Sequence, residues 1–251
     1  MFRAIAALIL VSVIAFVHGL SEEQAELFVT TGKTEMNTGL VGWVSVTSYN
    51  RNIWLIKSND IPDHDTGVFP TRGENPNEIE EQDFSYRIAK NPVVNEESTC
   101  LPLGPIAIAT NGIVMYNPWD TDDENAVEGE GAEVFDECDG HPDGLGRYHY
   151  HKQPSSCLFT IIEGEPSPLV GVAFDGFAIY GPVNEYGVLL TSDDLDECHG
   201  RYNSDGVYQY HTTADFPYIL GCFRGTPKNV NTNSENCNKA SETDEDGNLL
   251  P

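Results

Sequence analysis

Tyr148-His149-Tyr150-His151 sets two imidazoles two residues apart. In a strand, side chains alternate between faces, so both histidines point to one side with Cα atoms about 6.6 Å apart, and both tyrosines point to the other. Two imidazoles so placed can converge on one ion, while the tyrosines face a core in which their hydroxyls need partners. The surrounding block recurs with an offset of sixty: Asp136-Glu137-Cys138…Gly146-Arg147-Tyr148-His149-Tyr150-His151 against Asp196-Glu197-Cys198…Gly206-Val207-Tyr208-Gln209-Tyr210-His211. Beyond residue 19 there are six histidines, and five of them (His141, His149, His151, His199, His211) lie in these two blocks; His64 lies outside. Gln209 stands where His149 does, so the two copies are unequal. The strongest ligand set is His149, His151 and His211, with His199, His141 and Asp139 as further candidates. Three neutral imidazoles with an open position suit Zn²⁺ or Cu²⁺. The competing reading is structural: buried imidazoles need hydrogen-bond partners, and these could simply hold the loops between the units.

An ion held this way could also activate water for hydrolysis, with Asp139 or Asp175 as base, or support copper oxidoreductase chemistry. No nucleophile elbow, His-Glu-x-x-His helix or phosphate loop accompanies it. The formal charge of −27 excludes nucleic acid as a default partner. Residues 91–146 hold 13 carboxylates and no Lys or Arg, and residues 153–200 hold eight more, again without a cation. Two clusters stand out, Asp120, Asp122, Asp123 and Glu124, and Asp193, Asp194, Asp196 and Glu197. Such density admits Ca²⁺ or an acidic component of extracellular or mineral matrix; without an EF-hand loop, a solvated anionic surface is the simpler reading.

The elements that must position these residues read as β. Asn111-Gly112 joins 106–110 to 113–116, and Asp175-Gly176 joins 170–174 to 177–180, a second repeated pair with an offset of 64. Both dipeptides suit a type I′ hairpin turn. Segments 41–47 and 53–57 form a further expected hairpin, and 84–89 one more strand. Helical periodicity is poor outside the first twenty residues. The expected fold is all-β: a disulfide-bonded sandwich or barrel-like domain built from two tandem β repeats of about 60 residues, roughly 104–162 and 168–225.

Arg3, an apolar run from Ala4 to Val17 and the small residue Gly19 fit a secretory signal peptide over 1–19, with an uncleaved anchor as the alternative. No later segment is apolar enough for a membrane span. Secretion makes the six cysteines candidates for three disulfides, with 15 pairings open. The simplest symmetric choice joins Cys138 to Cys157 and Cys198 to Cys222, leaving Cys100 for Cys237; an exchanged pairing between units, such as Cys138 with Cys198, keeps the same symmetry. The organisation is then a signal peptide, an N-terminal β region over 20–99 packing on the repeats, a duplicated domain over 100–225, and a polar tail over 226–251 expected to be mobile.

These motifs resemble the YHYH domain family, named for the tetrapeptide found here at 148–151. The likeness extends to Asp175-Gly-Phe-Ala-Ile-Tyr-Gly-Pro182, Leu195-Asp-Glu-Cys-His-Gly200 and Phe216-Pro-Tyr-Ile-Leu-Gly-Cys-Phe-Arg-Gly225, and covers about 100–225. It implies a secreted or extracellular protein and implies no particular activity. Gln209 departs from the motif in the second copy, which tells against two equal sites.

Overall fold

The computed structural model describes residues 19–228 apart from Gly73, Thr121, Asp123, Glu130 and Ser155. The signal peptide expected over 1–19 (save Gly19), the tail expected to be mobile (from residue 229) and Cys237 lie outside the described residues. Among those described, helix is confined to α1 (Glu22–Ala25), closed by a Ser21/Gln24 capping box, and a single 3₁₀ turn at Ser192–Asp194. Two sheets make up the rest. The smaller is an antiparallel meander of β1 (Val44–Asn50), β2 (Ile53–Ser58) and β3 (Phe84–Ala89). The larger contains β4 (Pro105–Ala109), β5 (Val114–Tyr116), β6 (Gly140–Pro142), β7 (Tyr148–Tyr150), β8 (Leu169–Ala173), β9 (Ala178–Tyr180), β10 (Gly200–Tyr202) and β11 (Tyr208–His211).

The order across the larger sheet is β10-β11-β9-β8-β4-β5-β7-β6. Each unit contributes four neighbouring strands in mirrored sequence, and the units meet where β4 and β8 pair antiparallel, with Ile108 opposite Val172. These central strands are buried on both faces, which is why they read as continuous apolar runs. β2 instead alternates, burying Trp54, Ile56 and Ser58 on one side. Full burial of side chains such as Ile56 and Ile88 stabilises by about 1.5–3 kcal/mol each.

The meander lies against the larger sheet. Tyr86 stacks on Phe174 at 4.4 Å, Ser58 donates to the Gly112 carbonyl at 2.7 Å, and the Val114 amide donates to Asp60 at 3.2 Å. Neither sheet closes on itself, so the arrangement is sandwich-like and the barrel alternative falls away.

The hairpins are where the dipeptides put them, with a different turn. Gly112 and Gly176 have φ of +90° and +106°, while Asn111 and Asp175 do not enter the left-handed region. The Gly112 amide donates to Ala109, whose own amide donates to Ile113; Gly176, Ala173 and Phe177 repeat the pattern. That is a three-residue loop with a glycine bulge rather than type I′. The Asn111 and Asp175 carboxamide and carboxylate oxygens brace it by accepting from the amides two residues on.

Two disulfides form as the symmetric choice proposed, Cys138–Cys157 and Cys198–Cys222. The exchanged pairing is not formed. The partner expected for Cys100 is Cys237, outside the described residues.

Below each Tyr-x-Tyr strand sits a glycine, Gly140 or Gly200, against the ring of Tyr148 or Tyr208. Both rings are fully buried and fixed by bonds to Asp136 and Asp196. Gly140→Ala and Gly200→Ala push a methyl into those rings, and each is expected to cost about 1–3 kcal/mol in thermal unfolding. Unchanged melting in both would show that the rings are free to shift.

Candidate metal centre

β6 and β7 form a hairpin that places His141 directly opposite His149. Asp143 holds the connecting loop by accepting from the Leu145 and Arg147 amides. Tyr148 and Tyr150 turn into the core, where Tyr148 donates to Asp136 at 2.8 Å and the Tyr150 hydroxyl meets His64 Nε2 at 2.6 Å. The opposite face carries His149, and His151 follows one residue beyond the strand.

Each imidazole is held from behind by a backbone carbonyl. His141 Nδ1 lies 2.9 Å from Val134 O, His149 Nδ1 lies 3.0 Å from Arg147 O, and His151 Nδ1 lies 2.7 Å from Asn117 O. A carbonyl can only accept, so each Nδ1 carries a hydrogen, and in the neutral ring each Nε2 presents a lone pair. Those three lone pairs converge. His149 Nε2 is 3.1 Å from His141 Nε2 and 3.1 Å from His151 Nε2, and Glu133 Oε2 stands 3.0 Å from the latter two. As neutral rings with their hydrogens on Nδ1, these imidazoles cannot donate to Glu133, and its buried Oε2 then has no hydrogen-bond donor. Four acceptors around one point repel each other unless a cation stands between them. Donors separated by 3.0–3.1 Å match one ion with bonds of about 2.1 Å.

The electrostatics agree. Burial pushes His149 well below the ordinary imidazole range, and the neighbouring His151 and His141 act in the same direction. Burial alone would raise the Glu133 carboxyl; hydrogen bonds and charge from His141 and His151, when those rings carry both protons, outweigh it and hold the group far below the usual carboxylate range. Burial thus favours the neutral, ligating form of His149, and Glu133 is held in its ionised, ligating form.

A cleft of about 460 Å³ opens onto the four ligand atoms. Its walls include Tyr116, Trp119, Asn75 and Arg147. Tyr116 stacks on the His149 ring at 3.8 Å and donates to Asp143 Oδ2 at 2.7 Å, an oxygen that also accepts from Arg147 Nε at 2.7 Å. The ligand rings are therefore packed as well as hydrogen-bonded, and one side of the group faces space of ligand size.

Residues 85–188 match the family model described as YHYH protein. The chain carries a YHYH-family domain. The match spans the first unit and the β8–β9 hairpin of the second. Searches among curated proteins and among solved structures find no match. The four converging side chains, Glu133, His141, His149 and His151, all lie within the matched YHYH segment.

The second unit keeps the frame and loses the centre. His211 Nδ1 is held by Gly181 O at 2.8 Å, as His151 is by Asn117, but its Nε2 meets Gln209 Nε2 at 2.9 Å. Arg201 occupies the position of His141, opposite Gln209 in register, and pairs with Glu185 at 2.7 Å. His199 is turned elsewhere, with Nδ1 on Ile219 O and Nε2 on Ser192 and Thr213 hydroxyls. Asp139 pairs with Lys152 at 2.8 Å. The structure therefore gathers His141, His149 and His151 of the YHYH domain, and places His211, His199 and Asp139 apart from them. For His211 and His199 strand order is the reason: β7 and β11 lie on opposite sides of the β4–β8 seam.

Glu133 escaped sequence reading because it is one of 13 carboxylates in the cation-free tract. Its one distinguishing sign is that it sits eight residues before His141. In the acidic clusters Asp120 and Asp196 serve turns: Asp120 accepts from the Asp122 and Glu124 amides, and Asp196 from the Cys198 and Gly200 amides. Asp123 lies outside the described residues.

His199 and His211 make a pH prediction independent of the ligand group. Burial lowers both from 6.5 to about 4. The unfolded chain then binds more protons than the fold between those values, so stability is present above pH 6.5 and lost as pH falls toward 4. Each contributes on the order of 3 kcal/mol across that window. Asp175, raised by burial to about 6, acts in the opposite sense, gaining stability as pH falls from 6 toward 3.8. Denaturant unfolding at both ends of the window should show a smaller acid loss in His199→Gln and His211→Gln, and a larger one in Asp175→Asn.

Proposed function

We propose that this YHYH protein is secreted and binds one divalent transition ion through His141, His149, His151 and Glu133. The observation that carries this reading is the convergence of three backbone-anchored imidazole lone pairs and an orphaned carboxylate oxygen. A purely structural role would give each Nε2 a donor; with neutral rings, each here faces another acceptor. Zn²⁺ and Cu²⁺ are the ions the nitrogen-rich set suits. Two disulfides fit an oxidising compartment, and no helix of the described residues is long and apolar enough to cross a membrane.

Metal analysis of chain purified without a histidine tag, followed by calorimetric titration with Zn²⁺ and Cu²⁺ near neutral pH, tests it. One ion per native chain is expected, and none in His149→Ala/His151→Ala. Equal uptake by the two would end the proposal.

The cleft beside the ligands favours a second reading, in which the same ion acts on a bound small molecule. Glu133 and the three imidazoles would hold the ion there, leaving the cleft side for a further ligand or water. A small molecule whose affinity depends on the loaded ion would support it; identical affinity for loaded and stripped chain would refute it.

A further inference from the structure

A second grouping of ligand atoms lies on the opposite side of the Tyr148-Tyr150 face. His64, Cys138 and Cys157 each offer an atom within 4.8 Å of the others. His64 is buried, with Nδ1 fixed 3.0 Å from the Asp65 carbonyl, so its Nε2 presents a lone pair that at present accepts from Tyr150. Cys138 is buried, Cys157 is exposed, and the disulfide between them forms part of the wall of a cleft of about 1010 Å³. Asp63, Asp65, Asp136 and Glu137 line the same cleft with one cation, Lys33, which pairs with Asp65; the balance is anionic and favours a cation.

We infer that reduction of Cys138–Cys157 converts this corner into a soft metal site, with two thiolates and the His64 imidazole binding Zn²⁺ or Cu⁺. Two sulfurs and one nitrogen, open on the cleft side, form a donor set these ions prefer over hard cations. With a phosphine as reductant, phosphorus takes an oxygen from water and becomes the phosphine oxide. The S–S bond accepts the two electrons and breaks, and the two protons of that water end on the sulfurs. Metal binding then expels both protons. Tyr150 retains Asn111, 3.2 Å away, when His64 turns to the ion. The duplication supplies an internal control. Cys198–Cys222 occupies the same place in the second unit, and no histidine joins it in a comparable group among the described residues.

The test is anaerobic titration of the phosphine-reduced full chain with Co²⁺, whose bond to thiolate gives an intense charge-transfer absorption that imidazole and carboxylate do not. One such ion per chain is expected, unchanged in His149→Ala/His151→Ala, absent from Cys138→Ser/Cys157→Ser, and bound at least about tenfold more weakly by His64→Ala. Near-ultraviolet circular dichroism follows the fold in parallel. The inference is overturned if the reduced native chain shows no thiolate band. It is equally overturned if His64→Ala binds as tightly as native, which is also what a chain unfolded by reduction would do. Because its signal comes from sulfur, this result is separate from the fate of the His141, His149, His151 and Glu133 proposal.

Discussion

Stripping the ion from the native chain with a chelator is expected to lower its unfolding temperature by about 10 °C. A ligand present at about a thousand times its Kd stabilises the fold that binds it by about 4 kcal/mol. For a domain of this size each kcal/mol corresponds to about 2–4 °C. The physical source is local: without a cation, Glu133 Oε2 and three Nε2 atoms confront one another at 3.0–3.1 Å inside a largely buried group. Differential scanning calorimetry with and without chelator reads the shift, and His149→Ala/His151→Ala supplies the control, which should not move. A chelator shift of equal size in both would place the stabilising ion elsewhere.

The second large effect is expected from His141→Arg, which should abolish ion uptake, by at least about a hundredfold, while holding thermal stability within about 1 kcal/mol of the stripped native chain. The second unit shows why the fold accepts this change. Arg201 stands at the equivalent position, opposite Gln209, and its guanidinium meets Glu185 through two bonds of 2.7 and 3.3 Å. An arginine at 141 would bring its own charge to Glu133 and leave no room or need for a free ion. The reciprocal change, Arg201→His/Gln209→His, restores imidazoles beside His211 and releases Glu185, and should raise the stoichiometry from one ion to two. Calorimetric titration reads both. Full uptake by His141→Arg would remove His141 from the ligand set.

The repeats, their hairpins and the disulfide pattern were legible because period-two alternation, Asn-Gly and Asp-Gly dipeptides and matched cysteine spacings are local signals. The pairing of His149 with His151 was legible for the same reason, since two residues of strand settle it. Three things were not. The choice of His141 over His211 depends on which strand lies beside β7, and a β-sheet neighbour can come from anywhere in the chain. Glu133 approaches from a loop, its own amide bonded to the Ala126 carbonyl, so no short-range pattern marks it. The turn type was misjudged because Asn-Gly and Asp-Gly serve both two-residue and bulged loops, and both hairpins here take the bulge.

The β4–β8 seam carries one more implication. Ile108 faces Val172, its own counterpart at the offset of 64, and Ala107 and Ala109 face Ala173 and Gly171, so the contact is self-complementary in the way of an isologous homodimer interface. The chain is in effect a dimer whose subunits have been fused head to tail. Fusion lets twin halves hold different residues at one and the same place, which no true homodimer allows. One half gathers imidazoles and a carboxylate that a cation from outside could join, and the other carries its positive charge, Arg201, in the polypeptide.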